Sequence, residues 1–399
     1  MPVFSLKSIC ISESKNYRTS AALYLIFLSL VLLSSCHKDE LPIIPSTPIE
    51  VTPGEESSVK GFFLLNEGNM GSNKASIDYF DYESGVYHRN IFPERNPTVA
   101  RELGDVGNDI RIYGNKLYAV INCSNLIEVM DISDAKHITK ITVPNCRYIT
   151  FDKGYAYVSS YAGPVQIDPN ARLGYVAKID TTDFSIVGTC IVGYQPEEMV
   201  VRDNKLYVAN SGGYRVPHYD NTVSVIDLNS FEEIKKITVA INLHRIELDS
   251  HGNIYVSSRG DYKNVNSSTY IIDSNDMVSN NLKIPASNMT ICGDSLYIYS
   301  SEWNHAAGKN TISYAIVNTK TKSIVSRNFI TDDTDKLIEV PYGVAVNPET
   351  REIFITDAKD YVTPGVLYCF TPDGKKKWEV VTGDIPAHIV FTRKRLSGL

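Results

Sequence analysis

Twelve aromatic and charged residues in polar stretches are the best candidates for chemistry: Tyr161, Tyr214, Arg215, His218, Tyr219, Arg259, Asp261, Tyr262, Trp303, His305, Asp360 and Tyr361. Together they point to recognition rather than reaction. Tyr and Trp offer broad apolar faces with a polar end, and Arg, His and Asp beside them supply charge and hydrogen bonds. Patterns of common reaction centres are missing: there is no G-x-S-x-G, no H-E-x-x-H, no P-loop and no glycine-rich dinucleotide turn. The acidic run Thr331–Lys336 lacks the glycine and distal glutamate of an EF-hand loop and reads as a polar connection. A second set, Asp109, Tyr148, Glu198, Arg245, Asn288, Gly343 and His388, recurs at one position of a repeat and forms a ring. Such a ring suits a metal, a reacting substrate or a solvated channel mouth. The twelve are the expected ligand-binding set, with no catalytic and no metal site assigned.

The elements that position these residues are short strands. The segments "NDIRIYGNKLYAVINCSNLIEVMDISDAKHITKITV" and "PEEMVVRDNKLYVANSGG…NTVSVIDLNSFEEIKKITV" share one order. Each has an apolar strand, a tight Gly/Asn/Asp turn, an aromatic strand, a loop, a strand ending in Asp, a turn and a last strand. First strands, tracked by Ile110, Ile149, Met199, Ile246, Met289, Val344 and Ile389, recur at spacings of 39, 50, 47, 43, 55 and 45 residues. Propeller blades have this period. Second strands are tracked by Phe63, Tyr118, Tyr157, Tyr207, Tyr255, Tyr297 and Phe354, so the two series are out of phase. The N-terminal "FFLL" has no first strand before it, and the C-terminal "AHIVF" has no second strand after it. The expected fold is all-β: a seven-bladed β-propeller of four-stranded antiparallel blades, closed by pairing of N- and C-terminal strands.

Loop lengths pick out one face. Connections between first and second strands are tight, whereas most between second and third strands are long, as in "SSYAGPVQIDPNAR", "NSGGYRVPHYDN" and "SSEWNHAAGKN". All twelve candidates lie in these long loops, on the face that also carries the links between blades, so binding belongs there.

Outside the repeats, Lys7, Lys15 and Arg18 precede an apolar run from Ala21 to Leu33 that reads as a signal peptide over residues 1–35. The junction Leu33-Ser34-Ser35-Cys36 resembles a bacterial lipobox, which implies lipidation of Cys36. The following Lys38-Asp39-Glu40 resembles the surface-export signal of Bacteroidetes lipoproteins. Residues 36–58, rich in Pro, Thr, Ser and Glu, read as a flexible tether, and residues 59–395 as the propeller. The leader carries three basic residues and one acid, so its removal takes the formal charge from −7 to −9. That balance argues against nucleic acid as a partner. Five cysteines remain beyond Cys36, and Cys123 and Cys146, on one face of neighbouring blades, are candidates for a disulfide.

The segments "LYVANS", "LYAVIN", "AYVSS" and "IYVSS" resemble YVTN-type propeller repeats. More specifically, "FFLLNEGNMGSNKASIDYFD", "ELGDVGNDI", "YQPEEM", "ANSGGYRVP" and "PYGVAVNP" resemble BtuG-type cobalamin-binding surface lipoproteins of Bacteroidetes. That resemblance implies a non-enzymatic, lipid-anchored protein exposed at the outer membrane. It would bind cobalamin as transported ligand, with no cofactor of its own, and pass it to a TonB-dependent transporter like BtuB. A corrin plate would lie on the aromatic loop tips, with Arg215 or Arg259 on its phosphate and His218 or His305 as possible cobalt ligands. Two other classes remain open from the residues alone, a lactonase- or lyase-like propeller enzyme and a surface scaffold binding glycan or protein.

Overall fold

Alternating apolar residues in runs of five to seven, punctuated by residues that tolerate positive φ, build the blades. In the fourth blade Asp203 (φ 50°) and Asn204 (φ 62°) form the two-residue connection of the innermost hairpin. These are the left-handed angles a tight hairpin turn demands, and Asn and Asp adopt them most readily after Gly. The computed structural model describes residues 46–54, 57–99, 101–304 and 308–398. They form seven antiparallel sheets, six of four strands and one of five. The second blade is typical: Gly107–Tyr113, Lys116–Ile121, Leu126–Asp131 and His137–Thr142, from the axis outward.

The closing blade joins the two ends of the chain. Its innermost strand is Pro386–Thr392, which pairs with Gly61–Asn66 through Phe62 opposite Phe391 and Leu64 opposite Ile389. Apolar clusters seal blade to blade, and the second-strand aromatics lie within them. Phe63, Tyr118, Tyr157, Tyr207, Tyr255 and Phe354 are buried, while Tyr297 is partly so.

Three expectations change. Residues 46–54 are docked rather than free: Ile49–Glu50 adds a fifth strand to the closing blade, and Val51 and Gly54 donate backbone N–H to Gly85 and Tyr82 at 2.8 Å each. The alternation Ile49-Glu50-Val51 explains this, because both apolar residues pack on the cluster of Phe62, Phe80 and Tyr87. The stretch "SSEWNHAAGKN" is largely strand, since Ser295–Asn304 and Lys309–Asn318 extend their ladder to the pair Trp303 and Asn310 and beyond. Finally, Cys123 and Cys146 are free thiols. Cys146 lies in the core between the second and third blades and directs its sulfur to the carbonyls of Ile121 and Leu126 at 3.6 and 3.4 Å.

Candidate functional site

A recurrent irregularity of the innermost strands delivers side chains to the axis. Register shifts fall between Pro196 and Met199, Leu243 and Ile246, and Pro341 and Val344, and the third blade shifts opposite Val158 and Ser160. Bulges bend a strand and re-aim its side chains. The residues within them are Arg147-Tyr148, Glu197-Glu198, His244-Arg245 and Tyr342-Gly343. Hydroxyls on the adjacent second strands satisfy the freed backbone. Ser159, Ser257 and Thr356 accept from the N–H of Tyr148, Arg245 and Gly343 at 3.1, 3.0 and 2.6 Å. Ser160 and Ser258 donate to Pro144 and Ile241 carbonyls in the interblade links. The serine pairs of "YVSS" therefore hold both the bulge and the loop above it.

Around the axis the charges interlock. Arg111 reaches Glu198 at 2.9 Å and Asp109 at 3.2 Å. Glu197 is shared by Arg147 at 3.4 Å, Arg259 at 3.3 Å and the Tyr161 hydroxyl at 2.6 Å. Burial alone would raise the Glu197 carboxyl, but the two guanidiniums and Tyr161 hold it below its ordinary range. His244 and His388 stay neutral, their pKa values pushed well down by burial and then by neighbouring arginines. Burial pushes Glu67, which accepts from the Tyr342 hydroxyl at 2.7 Å, up to about 7. Burial and the nearby Glu198 push Glu247 up to about 8. Gly343 presents no side chain to the ring, because a Cβ there would lie 2.2 Å from the Ala387 carbonyl of the closing blade. Among the described residues no group of three or more His, Cys, Asp or Glu is arranged to hold a metal ion.

On the long-loop face a cavity of about 560 Å³ opens over the fifth to seventh blades. Its rim carries Tyr262, Trp303 and Tyr361, exposed by 64%, 58% and 41%. His244, Arg245, Arg259, Tyr299 and Tyr342 line it deeper in, with Ser267, Ser301 and Asn310 on the walls. Tyr361 is braced edge-to-face on Tyr342, 6.0 Å between centroids, and its carbonyl accepts from Asn69. Tyr299 donates to the Tyr342 carbonyl.

Of the twelve expected residues, the cavity gathers Arg259, Tyr262, Trp303 and Tyr361. Tyr161 is a correction: it is 3% exposed, bonded to Glu197 and covered by Arg147 at 4.7 Å from its ring. Its polar surroundings in sequence concealed a buried ion cluster. Tyr214 packs edge-to-face on Tyr161, and Arg215 lies 3.5 Å over the Tyr194 ring while donating to the His218 carbonyl. His218 is exposed and Tyr219 half-buried beside Tyr262 and Asp261. Asp261 and Asp360 also depart from expectation, because their carboxylates cap their own turns. Asp261 accepts from Lys263, Asn264 and Val265, and Asp360 from Val362 and Thr363. His305 and Cys36 lie outside the described residues.

Sequence reasoning missed His244, Tyr299 and Tyr342 and placed Arg245 only in the axial ring. A signal was present: three of the four bulge dipeptides, Arg147-Tyr148, His244-Arg245 and Tyr342-Gly343, stand opposite the hydroxyl-bearing end of a second strand, "YVSS" or "FITD".

The architecture defines a seven-bladed propeller whose long-loop face carries an aromatic-rimmed cavity. A family model described as "Domain of unknown function (DUF5074)" matches residues 60–391, and the chain belongs to that family. No curated protein matches. Among solved structures, a functionally unknown protein from Desulfotomaculum acetoxidans is similar at 12% identity and TM-score 0.58, covering 84% of this chain and 99% of its own. A quinoprotein alcohol dehydrogenase-like protein from Bacteroides thetaiotaomicron is similar at 14% identity and TM-score 0.53, covering 84% and 79%. Apo AztD from Citrobacter koseri is similar at 10% identity and TM-score 0.51, covering 84% and 100%. At these identities the likeness is one of fold.

Proposed function

We propose that this propeller is a lipid-anchored capture protein of the outer cell surface that binds a large plate-like ligand, a cobalamin or related corrinoid, across its long-loop face. The observation that carries the reading is the rim: three exposed aromatic rings around one cavity, with cations and a neutral imidazole beneath. Exposed rings at the mouth of a pocket provide apolar contact area at low entropic cost. A corrin ring would rest on Tyr262, Trp303 and Tyr361 with one edge directed inward. Its amide fringe would meet Ser267, Ser301 and Asn310. The motif resemblance supplies the ligand's identity, and Cys36 with the following Lys-Asp-Glu supplies the anchor and surface location. A TonB-dependent transporter like BtuB is the proposed recipient.

Titration of the purified chain with cyanocobalamin, followed by absorbance and calorimetry, tests this directly. Saturable one-to-one binding is expected. Absence of binding at micromolar ligand would overturn the corrinoid reading.

A further inference from the structure

Arg245 is 6% exposed, yet its guanidinium makes no hydrogen bond among the described residues. Its nearest acid is Glu198 at 3.9 Å, and that carboxylate is already engaged by Arg111 at 2.9 Å. Its Nε is enclosed and unpartnered, and the group rests 5.2 Å over the Tyr148 ring. A buried cation with empty donors is unfavourable unless something else fills them. Beside it His244, 7% exposed, uses Nε2 on the Tyr148 hydroxyl at 2.9 Å and leaves Nδ1 without a partner among the described residues. Where the Tyr148 hydroxyl donates to Nε2, the single imidazole proton sits on Nδ1 and is free to donate to a ligand. Both residues line the cavity, as does Arg259, whose guanidinium donates, among the described residues, only to Glu197 at 3.3 Å. Among the described residues three cations line this cavity, Arg245, Arg259 and Lys263, against one acid, Glu302, whose carboxyl burial raises.

We propose that Arg245 anchors an oxyanion-binding subsite at the inner end of the cavity, completed by Arg259 and His244, for a phosphodiester or carboxylate group of the ligand. Planar guanidinium donors match either group in bidentate fashion. The subsite follows from the unfilled donors and does not require the ligand to be a corrinoid. If the corrinoid reading holds, the anion is the phosphodiester of the nucleotide tail.

The test uses the full chain in detergent, labelled with 15N-histidine, titrated with inorganic phosphate and, separately, with acetate at constant ionic strength. The expected result is a saturable shift of the His244 ring resonances. Arg245→Gln should weaken binding of that anion roughly ten- to hundredfold, as for loss of a charge-assisted hydrogen bond. A larger response to phosphate assigns a phosphodiester, and a larger response to acetate a carboxylate. No response of His244 to either anion overturns the subsite, a readout that needs no variant to fold. A second arm compares cyanocobalamin with cobinamide, which keeps the corrin plate and lacks the phosphodiester. Arg245→Gln should weaken only the former. Equal weakening of both, with cooperative unfolding retained, would also overturn the proposal. Phosphate binding without cyanocobalamin binding would support the subsite and sink the corrinoid reading alone.

Discussion

Tyr161 directly follows the second strand of its blade and Trp303 lies near the end of that of another, on the same face, and they meet opposite fates. Tyr161 is buried because an acid waits beneath it: Glu197, placed by a bulge, accepts its hydroxyl and holds Arg147 over its ring. Trp303 sits near the end of a ten-residue strand paired with Asn310, and it remains more than half exposed. One half of the face is closed by its own side chains and the other is left open. An aromatic loop residue is thus a binding candidate only where no axial partner claims it.

The contrast predicts where substitutions act. Glu197→Gln should have the largest effect, because it leaves the guanidiniums of Arg147 and Arg259 without their shared charge. Removing one member of a buried ion cluster destabilises by about 3 kcal/mol. Urea unfolding should show the loss as a lower midpoint, and an unchanged midpoint would mean that the closed half contributes no stability. Trp303→Ala should do the reverse. We expect about 2 kcal/mol lost from ligand binding, as at an aromatic hot spot, read as faster dissociation, with the unfolding midpoint preserved. Equal effects on binding and stability would erase the distinction between the halves.

A smaller effect concerns acids at the axis. Glu67 and Glu247 have folded pKa values of about 7 and about 8, above the ordinary 4.5. The folded state therefore binds their protons more tightly than the unfolded state does. Their contribution to stability is full below about pH 4.5 and is lost as pH rises through 7 for Glu67 and 8 for Glu247. Glu247→Gln should flatten the decline by roughly 1–2 kcal/mol across that window, measured as unfolding free energy against pH. The same slope in wild type and variant would show that Glu247 does not titrate in this range.

The architecture was legible because it repeats: seven apolar first strands at near-constant spacing leave little freedom in how blades assemble. The half that carries the cavity was legible only in part. Tyr262, Trp303 and Tyr361 could be named because exposed aromatic residues in long loops stand out. His244 and Tyr342 were not named, because their direction depends on a bulge, a one-residue departure from strand periodicity whose one trace in the sequence is the hydroxyl on the facing strand, Ser257 or Thr356. The same limit produced the error at Tyr161, whose partner Glu197 lies 36 residues away.

Asp261 marks the smallest difference between the halves. Its Oδ1 accepts three successive backbone N–H groups, from Lys263 at 2.9 Å, Asn264 at 2.7 Å and Val265 at 2.8 Å. These bonds hold its carboxyl below the ordinary range. They also fix the turn in which Tyr262 adopts φ 60°, a left-handed conformation unusual for an aromatic residue. Asp261→Ala removes the acceptor without touching the cavity floor, so the ring at the rim loses its preset position. Hydrogen bonds in an exposed turn contribute modestly, so affinity should fall only about two- to fivefold, with unfolding unchanged. Calorimetry on Asp261→Ala, Tyr262→Ala and the double variant would show non-additive losses if Asp261 acts through Tyr262. Additive losses would mean that Asp261 meets the ligand itself.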